Sequence, residues 1–257
     1  MSAVLHERYD GDEQRLIESA ADELWTNELI DLVVDSASPI LNGARWDGVP
    51  SDAPQRWAER STAILALAAM ALRSTRAAAL MVRAGYGPEA WPHVRRLREA
   101  AGHAQRVAAD ESGQYAENWL HHRGKAASPR IAFGSDSEDN VLWQLMSGHA
   151  HAAFPAYANA VVTLDGRRLL HRVGPSRDLA WDNITLWLSA RTLTQVLAGV
   201  LTVHPEIDQR DFLRMGEVVV RGEDRLEQEI TTVMAERDCL AEDEPESSNG
   251  SAGSDAP

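Results

Sequence analysis

The sequence predicts a mainly α fold, a bundle of six or seven helices with one small β-hairpin near 161–173. Three observations carry this. Apolar residues recur every three or four positions over most of the chain, as one face of a helix requires. Breakers such as Ser38-Pro39, Gly85-Tyr86-Gly87-Pro88 and His204-Pro205 cut that pattern into helix-sized pieces. Only Val161–Val173 changes period, with two apolar runs around Asp165-Gly166, the pattern of a tight-turned hairpin that must lean on the bundle.

The first helix is expected over 13–36, through Ile17, Ala21, Leu24 and Leu32, with Pro39 as its stop, because the residue before proline avoids the helical region. Residues 42–55 read as loop. A long helix over 56–84 carries Trp57, Ile64, Ala68, Ala71, Thr75, Ala78 and Val82 on one seam. The Gly-Tyr-Gly-Pro turn ends it and starts a helix over 88–110, since Gly suits a helix C-terminus and Pro a first turn. So short a link predicts an antiparallel hairpin, and the small seam residues Ala90, Ala101, Ala104 and Ala108 predict a close approach.

A short helix is expected over 114–126 and another over 138–150. The segment 178–203 reads as a helix with Leu186, Ala190, Leu193, Leu197 and Val200 inward. The segment 208–238 reads as a last helix or pair, with Met215, Val219, Leu226, Ile230 and Val233 inward and a break marked by Gly216 and Gly222. The organisation is a flexible N-terminus (1–11), a single helical-bundle domain (12–240) and a disordered acidic, Ser/Gly-rich tail (241–257).

The formal net charge of -14 argues against a general nucleic-acid coat protein. Arg73 to Arg106 nevertheless holds seven arginines against only Glu89 and Glu99. Arg73, Arg76 and Arg83 fall within about 80° on their helix, and with Arg95 and Arg96 across the turn they form a candidate anion site for phosphate. The plainer account is a solvated, salt-bridged face. Lys125 is the sole lysine and alanine is abundant, as in a GC-rich bacterial coding sequence. Cys239 is the sole cysteine, which fits a reducing cytoplasm. The N-terminus shows no signal peptide, and the longest apolar run, Ala63–Leu72, is about half a membrane span, so the chain reads as soluble and cytoplasmic, with no membrane partner.

Two pairs place polar groups inside apolar helical patterns. Arg95 and Glu99 are four apart, and so are Ser147 and His151, so each pair shares a helix face. A bundle holding both has a buried Arg/Glu/Ser/His network that ties helical layers together, or a site. In the site reading His151 is a general acid or base oriented by Glu99, Ser147 assists, and Arg95 and Arg98 hold an anionic group with Arg76 and Arg73.

The stretch Ala79–Ala109, an apolar helix, a Gly-Tyr-Gly turn and Val94-Arg95-Arg96-Leu97-Arg98-Glu99, resembles the hallmark of the DUF5677 family, a bacterial group without an established activity. Leu145–His151 looks like its later Ser…His motif. The resemblance spans about 60–155 and implies a helical bundle similar to HEPN-type domains. HEPN ribonucleases carry an Arg and a His four to six residues apart, a spacing that Arg98…His103 fits; on an unbroken helix those two would point about 140° apart.

No His pair is four apart, no Gly-rich phosphate loop or nucleophile elbow is present, and neither a metal nor a cofactor is implied. Trp57, Trp143, Trp181 and Trp187 sit in apolar patterns as core residues. The leading expectation is a non-catalytic helical module acting through a protein partner or self-association, or through an anionic ligand. The alternative is a HEPN-like RNA-binding or RNA-cleaving protein in bacterial stress or defence. No DNA-specific motif is present.

Overall fold

In the computed structural model the described residues are 2–44, 55–124, 161–164, 168–171, 175 and 177–242, with side chains described over 11–44, 55–124, 175, 177–229 and 231. They form seven helices: α1 (Ser2–Glu23), α2 (Thr26–Gly43), α3 (Gln55–Arg83), α4 (Gly87–Ala109), α5 (Gln114–Leu120), α6 (Leu179–Val203) and α7 (Arg210–Glu242). The architecture is mainly α.

α6 is the central helix. It packs against α2, α3, α4 and α7, and its seam Leu186, Ala190, Leu193, Leu197 and Val200 is fully buried, as its periodicity predicts. Asp178 caps it by accepting from the Trp181 N–H. Polar side chains on this buried helix are satisfied one turn back: Thr185 donates to the Trp181 carbonyl and Ser189 to that of Thr185. A Cβ at Gly199 would press on the Ala104 carbonyl oxygen at 3.3 Å and Ile64 at 3.2 Å, so the glycine sets how near α6 comes to α4 and α3.

α3 and α4 form the expected antiparallel hairpin. Gly85 takes φ +85, the Tyr86 N–H reaches back to the Met81 carbonyl at 2.8 Å and the Gly85 N–H to that of Val82 at 3.0 Å. That is a Schellman end, which needs a left-handed residue where the sequence supplies glycine. Pro88 then opens α4, where the N–H that proline lacks would have had no intrahelical acceptor. The seam alanines Ala68, Ala71, Ala78, Ala90, Ala101 and Ala104 are buried, whereas Ala108 at the end of α4 is only partly covered.

α3 and α6 are the two described helices long and apolar enough to cross a membrane by length and composition. In this structure 44% and 67% of those windows is buried inside the bundle, so much of their apolar surface already faces protein.

Several expectations are corrected. The first helix divides: α1 ends at Glu23 and α2 starts at Thr26. Tertiary anchors bend the chain there, because the Trp25 indole donates to Glu229 at 2.6 Å and the Thr26 hydroxyl to Asn183 at 2.8 Å. Helical backbone begins at Ser2, earlier than the expected start at residue 13. Of the apolar series Ile17, Ala21, Leu24 and Leu32, only Leu24 is buried; Ile17 and Ala21 are exposed. Pro39 does not end α2, which runs to Gly43 because Ala37 and Ile40 are buried on the core side of its last turns. α5 stops at Leu120, six residues short, where His122 turns to φ +53. α7 runs unbroken through Gly216 and Gly222. At Gly222 a side chain would strike Trp187 and Trp25 at 3.1–3.2 Å, so that glycine serves packing and not a break.

The β-hairpin at 161–173 is not supported. Backbone at Val161–Leu164 and Arg168–His171 runs antiparallel with Val161 opposite His171, but the turn 165–167 lies outside the described residues, and so does every side chain of the pair. The architecture held by packed side chains is helical throughout. The helix expected over 138–150 and the tail from 243 also lie outside the described residues.

Candidate anion-binding groove

The α3–α4 hairpin leaves an open groove along its outer side. α3 lines it with Ala66, Ala69, Met70, Arg73, Ser74 and Ala77, and α4 with His93 and Arg96, around about 420 Å³. The α3 residues step by three, one, three, one and three, which is one helix stripe. Helices antiparallel about a turn at 84–86 place His93 and Arg96 beside Ala77 and Arg73–Ser74.

Among the described residues the lining contains two guanidiniums, an imidazole and a hydroxyl, and no carboxylate. Arg73 and Arg96 are exposed, and neither makes an ion pair or hydrogen bond among the described residues. Ser74 is almost fully buried and likewise makes no hydrogen bond among the described residues. His93 is held below its ordinary pKa of 6.5, first by burial and then by the positive charge of Arg96. The groove is therefore a patch of unneutralised positive charge with a titratable ring in its wall.

Three other arginines of the basic stretch, Arg83, Arg95 and Arg98, are tied off. Arg83 reaches α2, donating to Asn27 at 2.7 Å and pairing with Asp31 at 2.5 Å. Arg95 pairs with Glu99 at 3.0 Å, both side chains about one-fifth exposed. Arg98 donates to Gln195 on α6 at 2.8 Å. Arg76 is exposed but does not line the groove. Of the expected anion-binding set Arg95, Arg98, Arg76 and Arg73, the structure thus brings only Arg73 to the groove, and joins it with Arg96.

The expected catalytic set is only partly visible. Glu99 forms the pair with Arg95, whereas Ser147 and His151 lie outside the described residues. Arg98 and His103 are not brought together. His103 is buried, hydrogen-bonded through Nδ1 to the Tyr115 hydroxyl at 2.8 Å and packed near Trp119, and burial holds its pKa below 6.5, helped by Arg106. The ribonuclease spacing accordingly binds two different neighbours here.

Two constellations have no motif in the sequence. Ser61 Oγ lies 2.9 Å from His204 Nε2, and His204 Nδ1 lies 2.9 Å from Glu206 Oε1. The order Ser–His–acid is that of a hydrolase triad. Ser61 is fully buried inside α3, however, and Trp57 stands edge-on against the imidazole at 5.5 Å. A nucleophile has to reach its substrate, so this is a clip that fastens the C-terminal end of α6 to α3.

The second constellation is Arg177. Its guanidinium donates to the carbonyls of Leu16 at 2.6 Å, Val82 at 2.9 Å and Arg83 at 3.3 Å, and pairs with Glu23 at 3.2 Å. One side chain thereby holds α1 and the end of α3 together. Asp182, almost fully buried, lies 3.5 Å away, and burial pushes its pKa up to about 7 against the pull of Arg177. The guanidinium does not hold it lower because its shorter bonds go to carbonyls.

Among the described residues no group of three or more His, Cys, Asp or Glu side chains could hold a metal ion. No family model, curated protein or solved structure matches the chain.

Proposed function

We propose that this protein is a helical ligand-binding module that captures an anion in the α3–α4 groove, with Arg73 and Arg96 as the charge pair, Ser74 as a hydrogen-bond donor and His93 as a third, titratable donor. The supporting observation is that two arginines from different helices line one groove with no carboxylate beside them among the described residues. Arg83 and Arg95, by contrast, are paired with Asp31 and Glu99. Guanidiniums converging from two elements offer fork-shaped donors to one oxyanion. The Arg95–Glu99 pair is structural in this reading, bracing the outer side of α4.

The test is titration with inorganic phosphate and sulfate followed by amide chemical shifts. Wild type is expected to bind, with the largest shifts at Arg73, Ser74 and Arg96, and Arg73→Glu or Arg96→Glu is expected to abolish binding while the circular dichroism stays unchanged. Binding that survives both substitutions overturns the proposal. The HEPN-like RNA reading draws no comparable support, because Arg98 and His103 are engaged with Gln195 and Tyr115.

A further inference from the structure

Resting on that reading, we infer that the ligand is a soluble phosphate monoester with an apolar body, its phosphate at Arg73, Arg96, Ser74 and His93 and its body along Ala66, Ala69 and Met70.

The groove is larger than an oxyanion. A phosphate ion displaces roughly two waters, about 60 Å³, whereas the groove measures about 420 Å³. The surplus has a direction. From Arg73 back to Ala66 the α3 stripe advances about 10 Å away from the turn, and the groove residues there are Ala66, Ala69 and Met70, without a polar side chain. The polar groups are all at the other end. A polar end joined to an apolar trough of this size is the ordinary form of a small-molecule pocket.

Charge selects the head group. A phosphate monoester carries about -1.5 to -2 at pH 7, which two arginines balance. A carboxylate would satisfy one and leave the other unmatched. Among the described residues the polar end offers nothing to accept a hydrogen bond beyond the Ser74 hydroxyl and the His93 ring, so the ligand must be an acceptor, as phosphate oxygens are.

The experiment compares inorganic phosphate, hexyl phosphate and hexanoate by isothermal titration on the full chain. Hexyl phosphate is expected to bind at least tenfold tighter than inorganic phosphate and than hexanoate. Ala69→Gln, which fills the trough at an exposed position, is expected to remove the advantage of hexyl phosphate over inorganic phosphate. Arg96→Gln, a milder change than reversing the charge, is expected to weaken both phosphates at least tenfold. Equal affinity for the two phosphates, both lost in Arg96→Gln, overturns this inference and leaves the anion site standing. Hexanoate binding as tightly as hexyl phosphate overturns the phosphate head group. Association with vesicles carrying phosphatidic acid, without hexyl phosphate binding, moves the ligand to a membrane lipid and also overturns it. Hexyl phosphate binding that is indifferent to both Arg73→Glu and Arg96→Gln removes the groove as a site, and the functional reading with it.

Discussion

Asp182 Oδ1 occupies the space that a β-carbon would need at Gly87. The start of α4 therefore lies directly on a buried carboxyl of α6, and glycine is the residue that fits between them. Gly87→Ala must push apart two buried elements or turn Asp182 away from Arg177. The expected cost is about 1–3 kcal/mol, read as a lowered urea midpoint with an unchanged slope.

Asp182 also makes stability depend on pH in a direction opposite to the usual carboxylate. Its pKa is near 3.8 when unfolded and about 7 when folded, so the folded state holds the proton more tightly. The stability this confers is complete below about pH 4 and is lost as pH rises through 7. Between pH 5 and pH 8 the loss is about 2–3 kcal/mol at most. Asp182→Asn keeps the neutral shape and removes the titration. The wild-type stability minus that of Asp182→Asn is expected to fall across this interval, measured by urea unfolding at both pH values. A constant difference would show that Asp182 is ionised throughout.

Arg177 is expected to resist conservative replacement. Lysine keeps the charge but cannot fork onto the carbonyls of Leu16, Val82 and Arg83. Arg177→Lys is expected to cost about 3 kcal/mol and to loosen α1 first, so that limited trypsin digestion cuts after Arg15 much faster than in wild type. Cleavage at the wild-type rate would mean that α1 is held by other contacts.

The hairpin and the central helix were legible because they rest on local chemistry. Gly85 must be left-handed, Pro88 must open a helix, and the α6 seam repeats without interruption. What was not legible is set by distant partners. Nothing near Trp25 says that Glu229 will bend the chain there, and nothing near Pro39 says that Ile40 will hold its turn helical. The same holds for chemistry. Arg73 and Arg96 were visible as a basic stretch, but which arginines stay free depends on Asp31, Glu99 and Gln195. Ser74 and His93 could have been found by folding the α3 stripe onto α4 about the Gly-Tyr-Gly turn. Ser61 and His204, 143 positions apart, carry no local signal.

Ser61→Ala tests whether that buried pair is a clip or a nucleophile. Removing the hydroxyl leaves His204 Nε2 without its partner inside the core, at a cost of about 1–3 kcal/mol. An organophosphonate probe of activated serines is expected to leave wild-type Ser61 unlabelled, and phosphate binding is expected to be the same in both proteins. Labelling of Ser61 would show that the core opens and would restore the hydrolase reading of Ser61, His204 and Glu206.

An anion held as proposed makes His93 a sensor of the groove's occupancy. Burial and the charge of Arg96 both hold its pKa below 6.5. The charged groups facing it are Arg73 from α3 and Arg96 from α4, with exposed Glu89 one turn earlier on its own helix. An anion between the arginines cancels the repulsion from Arg96, so the pKa of His93 must rise on binding, and by linkage binding must take up protons. Affinity therefore increases as pH falls through and below 6.5. Sulfate is the clean probe because its own charge stays fixed over this range. Its affinity is expected to rise about three- to fivefold from pH 7.5 to 5.5 in wild type and to stay level in His93→Asn. The His93 ring resonances are expected to titrate at higher pH when sulfate is saturating. Identical titration curves with and without sulfate would place the anion away from Arg96.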